Sequence, residues 1–258
     1  MCFHTRIDRP VAEIETHYNV SRTEKGMELE EELLYHHSDG FKHQDFWVIP
    51  QESPKHITPM MWGMLPPWAK NEDPMEDLKE IKGQGLNAQS EKLFTSKMYK
   101  PSSLKRRCVI PLTGFYEPHT CQKPKDYKVP FLFGAREATF LSLAGIYTVT
   151  SNKYVSFSLL TREAEPGSMY AQIHNKKNWQ GQHRQIVPLA DDQIEAWLSE
   201  KLTETDIDRI IHDNLPEDGL TAHPISKDIF SRTVSADYPG IEKLVDNPNL
   251  NLDYSQWA

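Results

Sequence analysis

The chain has 258 residues, 38% of them hydrophobic, with a formal net charge of -8 and three cysteines. This is a globular composition long enough to bury a sizeable core in one domain, without repeats or low-complexity tracts. The acid excess excludes a generic nucleic-acid coat, which needs phosphate-neutralising charge throughout, although a local basic stretch is not excluded.

Cys2, Cys108 and Cys121 form no C-x-x-C spacing and no even set, so neither a zinc site nor a disulfide framework is signalled and a reducing compartment fits. The N-terminus lacks a signal-peptide pattern and no apolar run approaches the ~18 residues of a membrane span. A cytoplasmic protein with no membrane partner, no metal and no cofactor is expected, and a monomer.

Cys2 to Ile7 alternates like a short strand, and Arg9-Pro10-Val11 suits a helix entry with Pro10 in its first position. Residues 24–32 read as an exposed acidic insertion. Phe46 to Ile49 and His56 to Trp62 are strand-like. The second strand runs into Trp62-Gly63-Met64-Leu65-Pro66-Pro67-Trp68, where two prolines forbid regular structure. Such an aromatic loop plugs a core or offers a stacking surface. Lys70 to Leu86, polar and carrying Gly83 and Gly85, is expected as a long loop, a class that is often functional. Ser90 to Tyr99 reads as a short helix stopped before Pro101.

Cys108-Val109-Ile110-Pro111 leads into Gly114-Phe115-Tyr116-Glu117. Residues 129–134, 140–150 and 154–161 then give three apolar strands whose short connections favour antiparallel pairing. Asp191 or Asp192 is placed to cap a helix carrying Ile194, Trp197, Leu198 and Leu202. A second helix follows through Ile207, Ile210 and Ile211. His223-Pro224-Ile225 returns as a late strand, and residues 246–258 read as a flexible tail. Strands at the centre and helices at the periphery make the fold class α+β, with one domain over residues 1–245. Acid is concentrated at 24–32 and 191–218. Lys92, Lys97, Lys100, Lys105, Arg106 and Arg107 form a basic stretch, a pattern more often a solvated face than a binding track.

The second residue carries distinctive chemistry. An initiator methionine before a side chain as small as that of Cys2 is a substrate for removal, which leaves cysteine first. Its α-amine has a reference pKa near 7.7–8.0, against about 10.4 for lysine, and its thiol, near 8.5, has a thiolate fraction of its own. An amine condenses with an aldehyde to an imine, and a thiol one carbon away closes on that imine to give a five-membered thiazolidine. No internal cysteine can do this. The plain alternative is a small buried packing residue.

Met1-Cys2, the 62–68 loop, Asn87-Ala88-Gln89-Ser90-Glu91, Arg107-Cys108-Val109-Ile110-Pro111 with Gly114-Phe115-Tyr116-Glu117, and Ile173-His174-Asn175 occur in one order. In that order and spacing the chain resembles the SOS response-associated peptidase family, whose members crosslink to abasic sites in single-stranded DNA. The resemblance covers roughly residues 2–245. It implies a central, mainly antiparallel, barrel-like sheet with peripheral helices, and abasic single-stranded DNA as the partner. It implies an imine and then a thiazolidine at Cys2, with Glu117 relaying protons. His174 would donate a proton as the sugar ring opens, and Asn87 would orient the sugar and the amine.

Trp68 matches a loop tryptophan that stacks on or wedges the unpaired strand. Lys97 falls at a basic phosphate contact, and Gln89, Lys105, Arg106 and Arg107 join it as expected DNA contacts. Four departures are visible. His4 and Gln89 stand where arginine is usual, Pro118 replaces a tryptophan, and Asn175 to His183 expands a normally compact segment before Arg184-Gln185-Ile186-Val187-Pro188. Two other functions compete: an N-terminal-nucleophile hydrolase, such as an amidotransferase or peptidase, in which the amine activates the thiol, and a non-catalytic single-strand binder.

Overall fold

The computed structural model describes residues 2–122, 126–231, 233–247 and 250–258. Met1, and with it the expected removal of the initiator residue, lies outside the described residues. In chain order the elements begin with β1 (His4–Ile7), α1 (Val11–Tyr18), β2 (Ser21–Arg22), α2 (Glu24–Met27), β3 (Tyr35–Asp39), β4 (Asp45–Pro50) and β5 (His56–Trp62). They continue with α3 (Pro74–Ile81), β6 (Asn87–Gln89), α4 (Lys100–Ser103), β7 (Arg107–Leu112), β8 (Gly114–Cys121) and β9 (Tyr127–Ala135). Next come β10 (Leu141–Val149), β11 (Val155–Glu163), α5 (Met169–Ile173), β12 (Arg184–Ile186) and β13 (Pro188–Leu189). The last are α6 (Asp191–Trp197), α7 (Glu204–His212) and β14 (Leu220–Pro224).

Five of these strands close into a barrel. β4 pairs antiparallel with β5 and β7, β7 with β10, and β10 with β11. β11 then meets β5 in parallel through Ser156–Met61 and Phe157–Trp62. Closure leaves no open edge within the ring. Aromatic rings fill it: Phe46 meets Trp62 and Phe157 edge-on, and Trp62 and Phe157 lie nearly parallel. A second sheet runs β14-β9-β8-β1-β3, antiparallel throughout.

Alternation along β8 sends Phe115 and Glu117 inward and Tyr116 outward. Phe115 stacks on Phe133 and Tyr170 in the main core, while Tyr116 and Leu132 are covered by Ile225, Ile229, Ala236 and Ile241. The expected α+β architecture with a barrel-like antiparallel core is the architecture observed.

Local differences from the sequence reading have local causes. The expected loop at 70–86 contains α3, capped by the Asp73 side chain on the Met75 N–H, with Pro74 in its first turn. Met75, Leu78 and Ile81 pack with Leu65 and Ala69, an apolar stripe hidden by high mean polarity. Residues 90–99 are not a helix: a 3-10 turn spans Ser90–Lys92, and α4 instead carries Pro101 in its first turn, where no N–H is needed. Pro10 caps α1 rather than beginning it. The segment expected as a flexible tail lies against the core through Leu250, Leu252 and Tyr254. Trp257 is buried there, and its carbonyl accepts the Ala222 N–H at 2.9 Å.

Arg107, expected as a DNA contact, is corrected by its surroundings. It is 0% exposed. Its Nε donates to the Trp197 carbonyl at 2.8 Å, Nη1 to the Ser103 and Leu104 carbonyls at 3.1 and 2.8 Å, and Nη2 to the Ser199 carbonyl at 2.5 Å. The guanidinium lies 5.6 Å from the Trp197 ring centroid. The carbonyls at and just beyond the ends of α4 and α6 are orphan acceptors, and the rigid fork of arginine satisfies several at once. Burial pulls its pKa down to about 10, still charged at neutral pH. Arg107 therefore bolts two helix ends to β7 and cannot reach a phosphate. Arg107→Ala is expected to cost about 3 kcal/mol or more in urea unfolding, and Arg107→Lys to recover little of it. A loss under ~0.5 kcal/mol, the range of ordinary surface substitutions, would contradict this role.

Candidate active site

The rim of the barrel gathers one half of the site. Phe157 of β11 faces Trp62 and Leu159 faces Asn87, so β5 and β6 occupy the same edge of one strand. Everything between them, residues 63–86, leaves and rejoins the barrel at that rim. Gly63 makes the exit at φ +130, with its N–H on the Phe157 carbonyl at 3.0 Å; a Cβ there would strike the His43 ring. Trp68 stands out from this excursion, 59% exposed. Asn87 is buried, and its Nδ2 donates to the Cys2 carbonyl at 2.8 Å. Its Oδ1 is also buried, without a hydrogen-bond partner among the described residues. Gln89 ends β6, half-buried.

The second sheet supplies the other half. Glu117 faces inward from β8, buried, and its Oε2 lies 2.5 Å from His174 Nδ1. His174 ends α5, whose first turn is capped by the Ser168 hydroxyl. Two more β8 residues hold that helix end. His119 Nδ1 donates to the Gln172 and Ile173 carbonyls, both at 3.1 Å. The Asn175 side chain accepts the Thr120 N–H and donates to the Thr120 carbonyl, both at 2.9 Å. One strand thus grips the chain on both sides of His174 and fixes the imidazole against its carboxylate.

Electrostatics sorts the groups into roles. Burial raises the pKa of Glu117, but the amino-terminal charge, the His174 charge and the His174 hydrogen bond outweigh it, and the carboxyl stays below its usual range. Cys2 is fully buried with its Sγ–H toward the His4 carbonyl at 3.4 Å. Burial first, and the Glu117 charge second, push its thiol above the ordinary range. Tyr170, not foreseen from sequence, is buried with its hydroxyl unpartnered among the described residues. Burial, then the charges of Glu217 and Glu117, keep that phenol neutral. Nothing in the sequence around Tyr170 separates it from an ordinary core aromatic.

His4 Nδ1 and His37 Nε2 are 2.9 Å apart, and burial lowers the pKa of both, that of His37 to about 4. The position where the family resemblance implies an arginine therefore holds an imidazole turned onto a second imidazole.

Cys2, Asn87, Glu117 and His174 are brought together, while Trp68 lies on the segment that leaves the rim and Gln89 on the strand that rejoins it. Lys97 and Lys105 are exposed and Arg106 is half-buried, all on the chain joining β6 to β7. Among the described residues no group of three or more His, Cys, Asp or Glu could hold a metal ion, and no helix is long and apolar enough to cross a membrane.

A carboxyl with a depressed pKa stabilises the fold fully above its unfolded value, near 4.3, and loses that contribution as pH falls through its lower folded value. Glu117→Gln has no such titration. The urea midpoint of the wild type should fall relative to that of the variant as pH drops from 7 to 3; a gap independent of pH would show that Glu117 is not held ionised.

Abasic site processing protein YoqW of Bacillus subtilis is 26% identical over 183 residues, 69% of this chain and 73% of that protein. Abasic site processing protein HMCES of Rattus norvegicus is 23% identical over 203 residues, 67% of this chain but only 53% of its own length. A solved structure from Bacteroides thetaiotaomicron shares the fold with TM-score 0.79 at 23% identity, covering 95% of this chain and 100% of that one. A second, from Bordetella bronchiseptica, aligns with TM-score 0.67 at 21% identity over 87% and 100% of the two chains. The family model for SOS response associated peptidase (SRAP) matches residues 1–232. By that match, which spans most of its length, the chain belongs to the SOS response associated peptidase family.

Proposed function

We propose that this protein captures abasic sites in single-stranded DNA by forming a covalent thiazolidine through the amine and thiol of Cys2, after loss of Met1. The observation that carries the proposal is the convergence on Cys2 of an amide from the barrel rim, Asn87, and a buried carboxylate–imidazole pair, Glu117–His174. Relatives named as abasic site processing proteins support it.

The chemistry balances with one water lost. As the sugar ring opens, His174 gives a proton to the ring oxygen and regains one from the C1′ hydroxyl, which becomes the aldehyde. The neutral Cys2 amine adds to C1′, and the carbinolamine expels its hydroxyl as water to leave an imine. Glu117, held ionised, takes the proton from the nitrogen and returns it to the departing oxygen. The Cys2 thiol then adds to the imine carbon while its proton passes to the nitrogen, which closes the ring. A thiol held protonated until the imine exists suits this sequence. Asn87 orients the backbone of residue 2, and its buried Oδ1 is suited to a sugar hydroxyl. Trp68 stacks on a base freed from pairing, and Lys97, Lys105 and Arg106 follow the phosphates. His4 adds no fixed positive charge, so the grip on phosphate near Cys2 is weaker than an arginine would make it.

Single-turnover crosslinking across a salt series separates chemistry from grip. Glu117→Gln and His174→Ala should lower the rate at saturating DNA by about a hundred-fold or more, the usual contribution of a general acid or base. Neutralising Lys97 should leave that rate nearly unchanged and flatten the log–log salt slope of binding by up to about one unit. The opposite split would show the two groups assigned backwards. Cys2→Ala keeps the amine, so it should give an adduct only when borohydride traps the imine; a heat-stable adduct without borohydride would rule out the thiol's part.

A further inference from the structure

The expansion between His174 and Arg184 is a rigid turn rather than a slack insertion. The Asn178 Oδ1 accepts the N–H groups of Gln180 and Gln182, both at 2.9 Å, and the Asn178 N–H donates to the Gln182 carbonyl at 2.8 Å. Gly181, at φ +79, completes the turn in a conformation that other residues rarely adopt. Both ends are anchored. Asn175 is clamped on Thr120, and the His183 Nδ1–H donates to the His174 carbonyl at 3.0 Å. The Gln182 amide reaches Glu163 at 2.8 Å, and Arg184 forks onto the Glu91 carboxylate at 2.7 and 3.0 Å.

On this scaffold Trp179 is 85% exposed, more than the Trp68 already assigned to stacking. Lys176 and Lys177 precede it and are exposed; Lys176 pairs with Asp126 at 3.6 Å, while Lys177 has no ion-pair partner among the described residues.

A turn stiffened by this many bonds has no need of an indole in water, and leaving one there forgoes the free energy its burial would release. Trp179 is five residues from His174, so it lies at most ~18 Å along the chain from that imidazole, a span of a few nucleotides. We infer that Trp179 is a second stacking platform, which takes an unpaired base of the single strand on the His174 side of the lesion while Lys177 meets a neighbouring phosphate. The flanking cations favour nucleic acid over a protein surface as its occupant. The inference rests on the single-stranded DNA reading proposed above and adds to it the direction in which the strand leaves the site.

The test uses the full chain and a labelled single strand carrying a tetrahydrofuran abasic analogue, which has no aldehyde and cannot crosslink. By fluorescence anisotropy Trp179→Ala should bind about ten-fold more weakly and Trp179→Phe within about three-fold of wild type, in line with stacking measured by alanine substitution. The salt slope should not change for either, since no charge is removed. A second tetrahydrofuran, walked along the strand, should weaken wild type by a similar factor at one position while leaving Trp179→Ala unaffected there. If Trp179→Ala binds as wild type does while wild type still crosslinks natural abasic strands, the platform is disproved and the function stands. If wild type neither binds nor crosslinks, both are disproved. If the Trp179 effect appears without any crosslinking by wild type, the platform holds and the covalent chemistry falls.

Discussion

The parallel contact between β5 and β11 is the constraint on which the site depends. It closes a five-stranded barrel with only two residue pairs, after which β11 continues beside β6. That change of partner on one strand edge is what forces residues 63–86 out of the barrel and back at a single rim. Trp68 is exposed because it lies on the way out, and Asn87 is buried because it is the first residue back. The pairing of β6 with the same strand then holds the Asn87 amide on the carbonyl of residue 2.

The other half of the site depends on a carboxylate that the fold buries at a cost. Desolvating Glu117 is unfavourable, and a buried ion pair does not generally repay its desolvation. Here the fold spends several further hydrogen bonds holding the partner in place: His119 and Thr120, on the same strand as Glu117, take hold of residues 172, 173 and 175 around His174. Such preorganisation suits a catalytic pair better than a stabilising one, because groups fixed in advance need no reordering when charge moves. The elevated thiol pKa of Cys2 follows from the same burial and the same carboxylate. In the proposed order of events the thiol acts last, so the environment that favours the amine's chemistry does not obstruct it.

Much of this was legible in the sequence, for physical reasons. Alternating apolar strands through 129–161 announced the antiparallel core, whereas the position of Cys2 is equally compatible with a buried packing residue, and the chemistry proposed for it draws on the family resemblance. Glu117 and His174 are 57 residues apart, and the resemblance to a known family, not the residues in isolation, singled them out. Arg107 misled because a basic run records charge and not direction: its neighbours Lys105 and Arg106 face outward to different degrees while its own fork is turned onto helix ends. α3 was obscured because only three of its positions touch the core, so its polarity outweighed its period. Trp257 is hidden because asparagine and aspartate around it give residues 246–258 the composition of a flexible tail. Tyr170 and the His4–His37 pair depend on contacts between elements distant in the chain, for which no local pattern exists.

The central claim is that the first reactive atoms of this chain are the amine and thiol of one residue, and the intact mass of the covalent product tests it most directly. Purified protein mixed with an abasic single strand should give a species equal to the chain beginning at Cys2 plus the DNA, less one water. Borohydride should leave that mass unchanged, because a closed thiazolidine has no C=N bond to reduce. An adduct that retains Met1, an adduct that gains two hydrogens on borohydride treatment, or no adduct at all would contradict the account.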